Sequence, residues 1–330
     1  MPDFKRPGRS MRVNVVFDQI DHNRIFIDIG EQCPGGCLYC YSGAGTNMVA
    51  RGDWLQPESV PSYIESRPSS HFIPGIYGTA ISIGCNTDPL APRCRLTTIS
   101  LLEKLLRYGN PIQLASKYYE LDLSAYKRLE QAQSYPGQLT LNVTISTLTR
   151  AAELERNVPV PEERIRALAW MQSSTTLNPT LLVKPAIPGV TDQEKELLLG
   201  KLQEHRIKYC VVGMLYADVR ITERLIAAGV GFVPEMLSRG SHPYHFPNQE
   251  RPVLPHVTAQ TDLDELAAFL SRSACTTVFK TSMCAVAHRL GIPDPMRNWK
   301  RYPGLCIKCQ DCEGLVHSQV PQELRARYQS

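Results

Sequence analysis

Two periods alternate along this chain. Arg24–Ile29 is short and rich in β-branched and aromatic residues, and it reads as a strand. Five stretches of similar texture follow, at 79–84, Ile112–Ser116, 139–147, 180–187 and 209–215. Between them, apolar residues recur at helical spacing. Residues 96–108 form one such stretch and stop at Gly109, a residue suited to the left-handed position that ends a helix. Leu123–Ala132 and 161–171 are two more, and 223–228 stops at Gly229. Thr191 with Glu194 spells a capping box ahead of Leu197, Leu198 and Leu199.

Strands alternating with helices predict parallel βα units with right-handed crossovers. Six units do not fill an eight-stranded barrel. The expected fold is therefore α/β, a partial (β/α)6 TIM-type barrel over residues 21–235, with chemistry at the C-terminal ends of its strands. Residues 1–20 read as a basic N-terminal arm. After residue 235 the periodicity stops. Residues 234–256 hold five prolines and three histidines, His242, His245 and His256, and read as a long functional loop or a boundary. A short helix at 262–271 and a small Cys-rich metal-binding module complete the C-terminal region 236–330.

Composition narrows the function classes. The chain has 330 residues, 36 basic against 32 acidic, and a net charge of +4, too weak a bias to declare a nucleic-acid binder. No apolar run is long enough for a membrane span, and no apolar segment follows the basic N-terminus as a secretory signal requires. A cytoplasmic protein is expected. Its 11 cysteines are the unusual feature, because clustered thiols in a reducing compartment bind metal or do chemistry.

The first group, Cys33, Cys37 and Cys40, has the spacing C-x3-C-x2-C on the loop that leaves the first predicted strand. Three thiolates can each hold one iron of a 4Fe–4S cube and leave the fourth iron open, which marks catalysis rather than structure. Gly35 and Gly36 let the loop wrap closely, and Tyr39 flanks the last cysteine. The alternative is a zinc site completed by a distant ligand.

This motif, with an aromatic residue before its last cysteine on the loop after the first strand of a βα array, resembles the radical SAM superfamily. Cys40-Tyr41, Cys85-Asn86-Thr87-Asp88, Ser116-Lys117, Ser146, the helix start Pro161-Glu162-Glu163-Arg164-Ile165 and Lys184-Pro185-Ala186-Ile187-Pro188-Gly189 are similar to segments of its spore photolyase-like branch, over roughly residues 25–190. The resemblance implies a 4Fe–4S cluster on Cys33, Cys37 and Cys40 that binds S-adenosylmethionine, cleaves it with one electron, and yields a radical that abstracts a hydrogen atom from substrate. It implies that Cys85, with Tyr41 as partner, returns a hydrogen atom, and that Tyr39, Asp88, Lys117 and Ser146 help bind the cofactor. An electron donor, a reductase or a flavodoxin or ferredoxin, is an expected partner. Each residue also has a plainer reading: Cys85 as a small buried hydrophobe, Asp88 as a turn former, Lys117 as a solvated cation, Tyr41 as packing.

The second group, Cys306, Cys309 and Cys312, reads C-x2-C-x2-C and lies outside the resemblance. It is expected to hold a second Fe–S cluster or zinc, with Cys284 as fourth ligand and Cys275 or His288 as alternatives. The segment 297–330 carries Arg297, Lys300, Arg301, Lys308, Arg325 and Arg327 with Trp299 and Tyr302 interleaved, a pattern that permits a nucleic-acid contact. The expected substrate is a nucleic acid or nucleotide. Two other readings stay open: a non-catalytic zinc-stapled nucleic-acid-binding protein, and radical chemistry on a peptide or small metabolite. Cys94, Cys210 and Cys275 are assigned only to packing.

Overall fold

Polar and apolar residues alternate along the parallel strands, which gives the sheet two different faces. The computed structural model describes residues 11–17, 23–30, 33–41, 52–231 and 260–329. Within them lie strands β1 (Val13–Phe17), β2 (Arg24–Ile29), β3 (Asp53–Leu55), β4 (Ala80–Ile83), β5 (Ile112–Ser116), β6 (Leu139–Thr144), β7 (Asn178–Ala186), β8 (Tyr209–Met214) and β9 (Thr277–Phe279). They form one sheet in the order β3-β1-β2-β4-β5-β6-β7-β8-β9. From β2 through β4 to β9 every pairing is parallel, while β1 lies antiparallel to both β2 and β3. Among the described residues the sheet does not close into a barrel.

The six expected strands are present, with ends shifted by up to three residues. Three strands were not expected. Residues 13–17, assigned to the basic arm, are a sheet strand in which Val13, Val15 and Val16 are buried. The strand β9 lies beyond the expected limit of the core and pairs with β8. His242, His245, His256 and residues 1–10 lie outside the described residues.

Register decides which side chains share a face. Ile27, Ile83, Leu114 and Leu141 are successive partners, as are Val143, Leu181, Cys210 and Val278. This face packs against helices Arg95–Leu105, Leu123–Ala132, Pro161–Ser174, Lys195–Glu204 and Gln260–Leu270 in one apolar core. Each fully buried Ile or Leu there contributes roughly 1.5–3 kcal/mol. The opposite, inner face carries Arg24, Asp28, Ser82, Gln113, Thr140, Asn142, Asn178 and Thr180. A polar face inside a parallel sheet needs partners or ligands, because such sheets are normally covered by apolar contacts on both sides.

The apolar part of the inner face is covered by the C-terminal region. Helix Ser282–Leu290 lays Cys284 and Ala285 on Leu182, Val211 and Phe279, and Met283 and Val286 on Ala80. Asn23 Nδ2 donates to Pro295 O at 3.1 Å, which ties the same region to the start of β2. The Cys-rich segment is thus built onto the sheet rather than hung from it. Among the described residues no helix is long and apolar enough to cross a membrane.

The capping box expected at Thr191 and Glu194 does not form. Thr191 Oγ1 accepts from Ile187 N and donates to Ser146 O. The buried Glu194 carboxylate instead accepts from Thr147 Oγ1 at 2.7 Å, Leu148 N at 2.6 Å and Thr149 N at 3.0 Å, and from the Thr149 hydroxyl. A tertiary cluster of donors outcompetes the local cap, and the loop after β6 is held to the helix Lys195–Glu204. Replacing Glu194 with Ala leaves those donors unpaired. The expected loss is about 2–3 kcal/mol, read as a lower urea midpoint at unchanged slope.

Candidate functional site

The chain leaves β2 directly into the first cysteine group, at the C-terminal edge of the parallel strands. The cysteine loop is docked through its backbone on the segment 154–157. Leu38 N donates to Leu154 O at 3.0 Å, Asn157 N donates to Gly35 O at 3.2 Å, and Cys37 forms an antiparallel bridge with Glu155. The Gly35 amide donates to Cys33 Sγ at 3.4 Å. A Cβ on Gly35 would stand 3.1 Å from Val158 Cγ1, 3.4 Å from Cys33 Sγ and 3.7 Å from Cys37 Sγ, so glycine lets the loop pack closely between Val158 and the two sulfurs. Burial pushes the Cys33 and Cys37 thiols up to about 12. As thiolates they need a compensating cation, which a metal centre supplies.

Under the loop lies a buried ionic network. Glu155 Oε1 accepts from Lys117 Nζ at 2.9 Å and from the Tyr39 hydroxyl, while Glu155 Oε2 pairs with Arg164. Arg164 also donates to Thr144 O at 2.6 Å, and Ser146 Oγ donates to Tyr39 Oη at 3.0 Å. Burial alone would raise the Glu155 carboxyl, but the Lys117 and Arg164 cations and the hydrogen bonds to it hold it at about 2. Tyr39, Lys117 and Ser146, expected to bind a cofactor, therefore meet first in a network centred on Glu155. Arg164 lies in the helix-start segment Pro161-Glu162-Glu163-Arg164-Ile165 that the sequence singled out, without a role assigned to it, and Glu155 lay in no such segment.

Asp88 is equally committed. Its carboxylate accepts from Ser116 Oγ at 2.6 Å, Lys117 N at 2.9 Å and Leu90 N at 3.2 Å. It fixes the end of β5 and so acts on the site by aiming Lys117. Tyr41 Oη donates to the backbone carbonyl of Cys85 at 2.6 Å, which brings these two expected partners together through the main chain. The Cys85 side chain packs on Val16 and Phe26, and burial pushes its thiol up to about 11, so it carries hydrogen at neutral pH.

The second group also converges. Cys306, Cys309 and Cys312 line one cavity with Cys284, Asp294 and Trp299. Lys308 N donates to Cys306 Sγ at 3.4 Å, the same two-residue amide-to-sulfur contact that Gly35 makes with Cys33. The Cys284 thiol donates to Asp294 Oδ2 at 3.5 Å, and Asp294 also accepts from Asn298 Nδ2 at 2.5 Å. The two alternative ligands lie elsewhere. Cys275 contacts Leu202 O, and the His288 ring packs on Tyr209 and Phe279. A tetrahedral zinc bound at about 2.3 Å places its sulfurs about 3.8 Å apart. Among the described residues the only group of three or more ligand atoms mutually within 4.8 Å is Glu162, Glu204 and His205.

The expected C-terminal nucleic-acid patch is reduced. Arg297 is buried, Trp299 lines the cysteine cavity, Arg325 donates to Val320 O and Arg327 to Thr79 Oγ1. Arg327 ties the C-terminal region to the residue before β4, whereas Arg325 bonds within that region.

No family model and no curated protein sequence matches the chain. Among solved structures it is similar to spore photoproduct lyase complexed with dinucleoside spore photoproduct, at a TM-score of 0.52 and 13% identity over 75% of this chain and 73% of that one. A cysteine-to-serine mutant of that enzyme gives a TM-score of 0.54, 13% identity and the same coverage. A double mutant solved with bound AdoMet and dinucleoside spore photoproduct gives 0.52 and 13% over 76% of this chain and 74% of that one. The likeness is one of fold.

Glu155→Gln should cost about 3 kcal/mol at neutral pH, because Lys117 and Arg164 stay buried without an anion. The folded pKa is depressed, so this stabilisation is complete above the ordinary carboxyl range and is lost as pH falls from about 4.5 to about 2. Urea unfolding of both proteins across that range should bring their stabilities together at the acid end.

Proposed function

We propose that this chain is a radical SAM enzyme of the spore photolyase-like kind. The observation that carries the reading is the docked loop of Cys33, Cys37 and Cys40 at the strand ends, above a polar inner face, in a fold shared with spore photoproduct lyase. The three half-buried thiols, gathered on a loop that packs closely at Gly35, fit a 4Fe–4S cluster with one iron free of protein ligands. When bound, the cluster and S-adenosylmethionine supply a 5′-deoxyadenosyl radical able to abstract a hydrogen atom.

The chain's own groups position, shield and return hydrogen. The Glu155 network holds the cysteine loop through Tyr39 and fixes Lys117 and Ser146 beside it. Cys85 holds a hydrogen on Sγ, and Tyr41 steadies the Cys85 backbone. An S–H bond is weak enough for that hydrogen to pass to a carbon radical on the substrate. The substrate class we propose is nucleic acid or nucleotide, since two of the neighbours in fold were solved with dinucleoside spore photoproduct. A reductase, flavodoxin or ferredoxin would deliver the electron.

We assign the second cavity to an auxiliary Fe–S cluster held by Cys284, Cys306, Cys309 and Cys312. The C-x2-C-x2-C spacing, with Cys284 lining the same cavity, supports a cluster. Four thiolates close the coordination sphere, which suits electron relay or stapling rather than substrate binding.

Protein purified without oxygen should be brown and should form 5′-deoxyadenosine with a strong reductant. Cys33→Ala should abolish that product, measured by chromatography. Cys85→Ala should still form it but change the distribution of substrate-derived products in mass spectrometry. An unchanged distribution removes Cys85 from the hydrogen-return step.

A further inference from the structure

A buried donor at the second cysteine site has no acceptor. The Trp299 ring packs with Val316, Val320 and Tyr328, and the same residue lines the cavity of Cys284, Cys306, Cys309 and Cys312. Its indole Nε1 is buried and makes no hydrogen bond. An indole N–H taken out of water without an acceptor is costly, and native structures normally supply one. The cavity holds about 290 Å³, so the residues that line it are close neighbours. Its one carboxylate is engaged elsewhere: Asp294 accepts from Met296 N at 3.0 Å, Asn298 N at 3.1 Å and Asn298 Nδ2 at 2.5 Å. Sulfur is the acceptor that a filled cavity would offer.

Other donors around the cavity already face sulfur. Lys308 N donates to Cys306 Sγ at 3.4 Å. Asn298 Nδ2, held by Asp294, also lies 3.8 Å from Cys284 Sγ. Gln310 Nε2, held by Ile292 O at 2.7 Å, lies 4.0 Å from Cys312 Sγ. An amide nitrogen carries two hydrogens, so each of these side chains can keep its anchor on oxygen and give its second hydrogen to sulfur. Three of the four cysteines therefore have an N–H group turned toward them. Such donors stabilise the reduced, more negative form of an iron–sulfur centre over the oxidised form, and so raise its potential. The Asp294 carboxylate works the other way, and its own donors blunt it. A staple needs its four sulfurs alone, whereas a centre that exchanges electrons needs its two charge states balanced.

We propose that Trp299, with Asn298 and Gln310, sets the reduction potential of the second centre by donating N–H to its sulfurs, and that this centre is an electron acceptor rather than a staple. The inference rests on the auxiliary-cluster reading and deepens it. A protein donor of the flavodoxin or ferredoxin class loses one electron, the centre gains it, and no bond is made or broken. Trp299 acts through sulfur and is a positioning residue.

The test is an anaerobic redox titration followed by electron paramagnetic resonance. It uses the full-length protein with Cys33, Cys37 and Cys40 replaced by alanine, so that the second centre alone is read. Iron, sulfide, zinc and thermal unfolding are measured on every sample. The centre should be reduced by dithionite. Trp299→Phe keeps a ring and removes the N–H, and it should disfavour reduction about tenfold, a midpoint about 59 mV lower for one electron. Gln310→Met should shift the midpoint in the same direction. Leu324→Ala loosens the packing around the same ring without removing a donor, and it should leave the midpoint unchanged. Tryptophan labelled with nitrogen-15 in the indole should show coupling to the reduced centre, lost in Trp299→Phe. Equal midpoints with and without Trp299→Phe in iron-loaded protein, or no nitrogen coupling, overturn the tuning and leave the cluster reading standing. A centre that dithionite does not reduce overturns the acceptor role. Folded protein that holds zinc in place of iron overturns the auxiliary-cluster reading, and the tuning with it. Where the triple alanine protein does not fold, the same titration with Cys33, Cys37 and Cys40 intact reads the shift as movement of one of two signals.

Discussion

One buried carboxylate sets the geometry on which the first cysteine group depends. Glu155 gathers a lysine from the end of β5, an arginine from the helix Pro161–Ser174 and the tyrosine that lies between Cys37 and Cys40. Each partner comes from a different element. The backbone of the same segment pairs with the cysteine loop, so the loop is held from both main chain and side chain. Two buried cations around one anion are costly to desolvate and strongly coupled once in place. That coupling suits a loop that must keep three sulfurs in a set arrangement.

The second constraint is the division of the sheet into two faces. The outer face carries the stability of the fold through its Ile, Leu and Val rows. The inner face is divided again: its apolar part is covered by helix Ser282–Leu290, and its polar part carries a row of side chains, Ser82, Gln113 and Asn142, bonded to one another. Cys284 lies at the join. It packs on Phe279 and Leu182 and also lines the second cysteine cavity. The C-terminal cysteines are thereby referred to the same sheet as the first group, which a separate module on a linker would not achieve.

Much of this was legible in sequence because the relevant periods are local. The six parallel strands, the stop at Gly109 and the two cysteine spacings all depend on neighbours within a few residues. The antiparallel β1 was lost because its alternation spans only five residues and follows a basic stretch. The sequence left Cys284 and His288 open as the residue that joins the second group because they are one helical turn apart. Only the packing of His288 against Tyr209 and Phe279 separates them. Glu155 was invisible because its partners are brought together by folding, and Glu194 was misread because tertiary donors outbid a valid local motif. Asp88 was found by position, yet its oxygens turned out to be committed to the backbone and hydroxyl at the end of β5.

The central claim is that the cysteines of this chain hold iron–sulfur centres at two sites, one of them open for catalysis. The most direct test is anaerobic quantification of iron, acid-labile sulfide and zinc in the wild type and in a Cys306/Cys309/Cys312 triple alanine variant. The account predicts iron and sulfide in near-equal amounts, little zinc, and about half of the iron retained by the variant. Zinc without iron or sulfide in the wild type would contradict it.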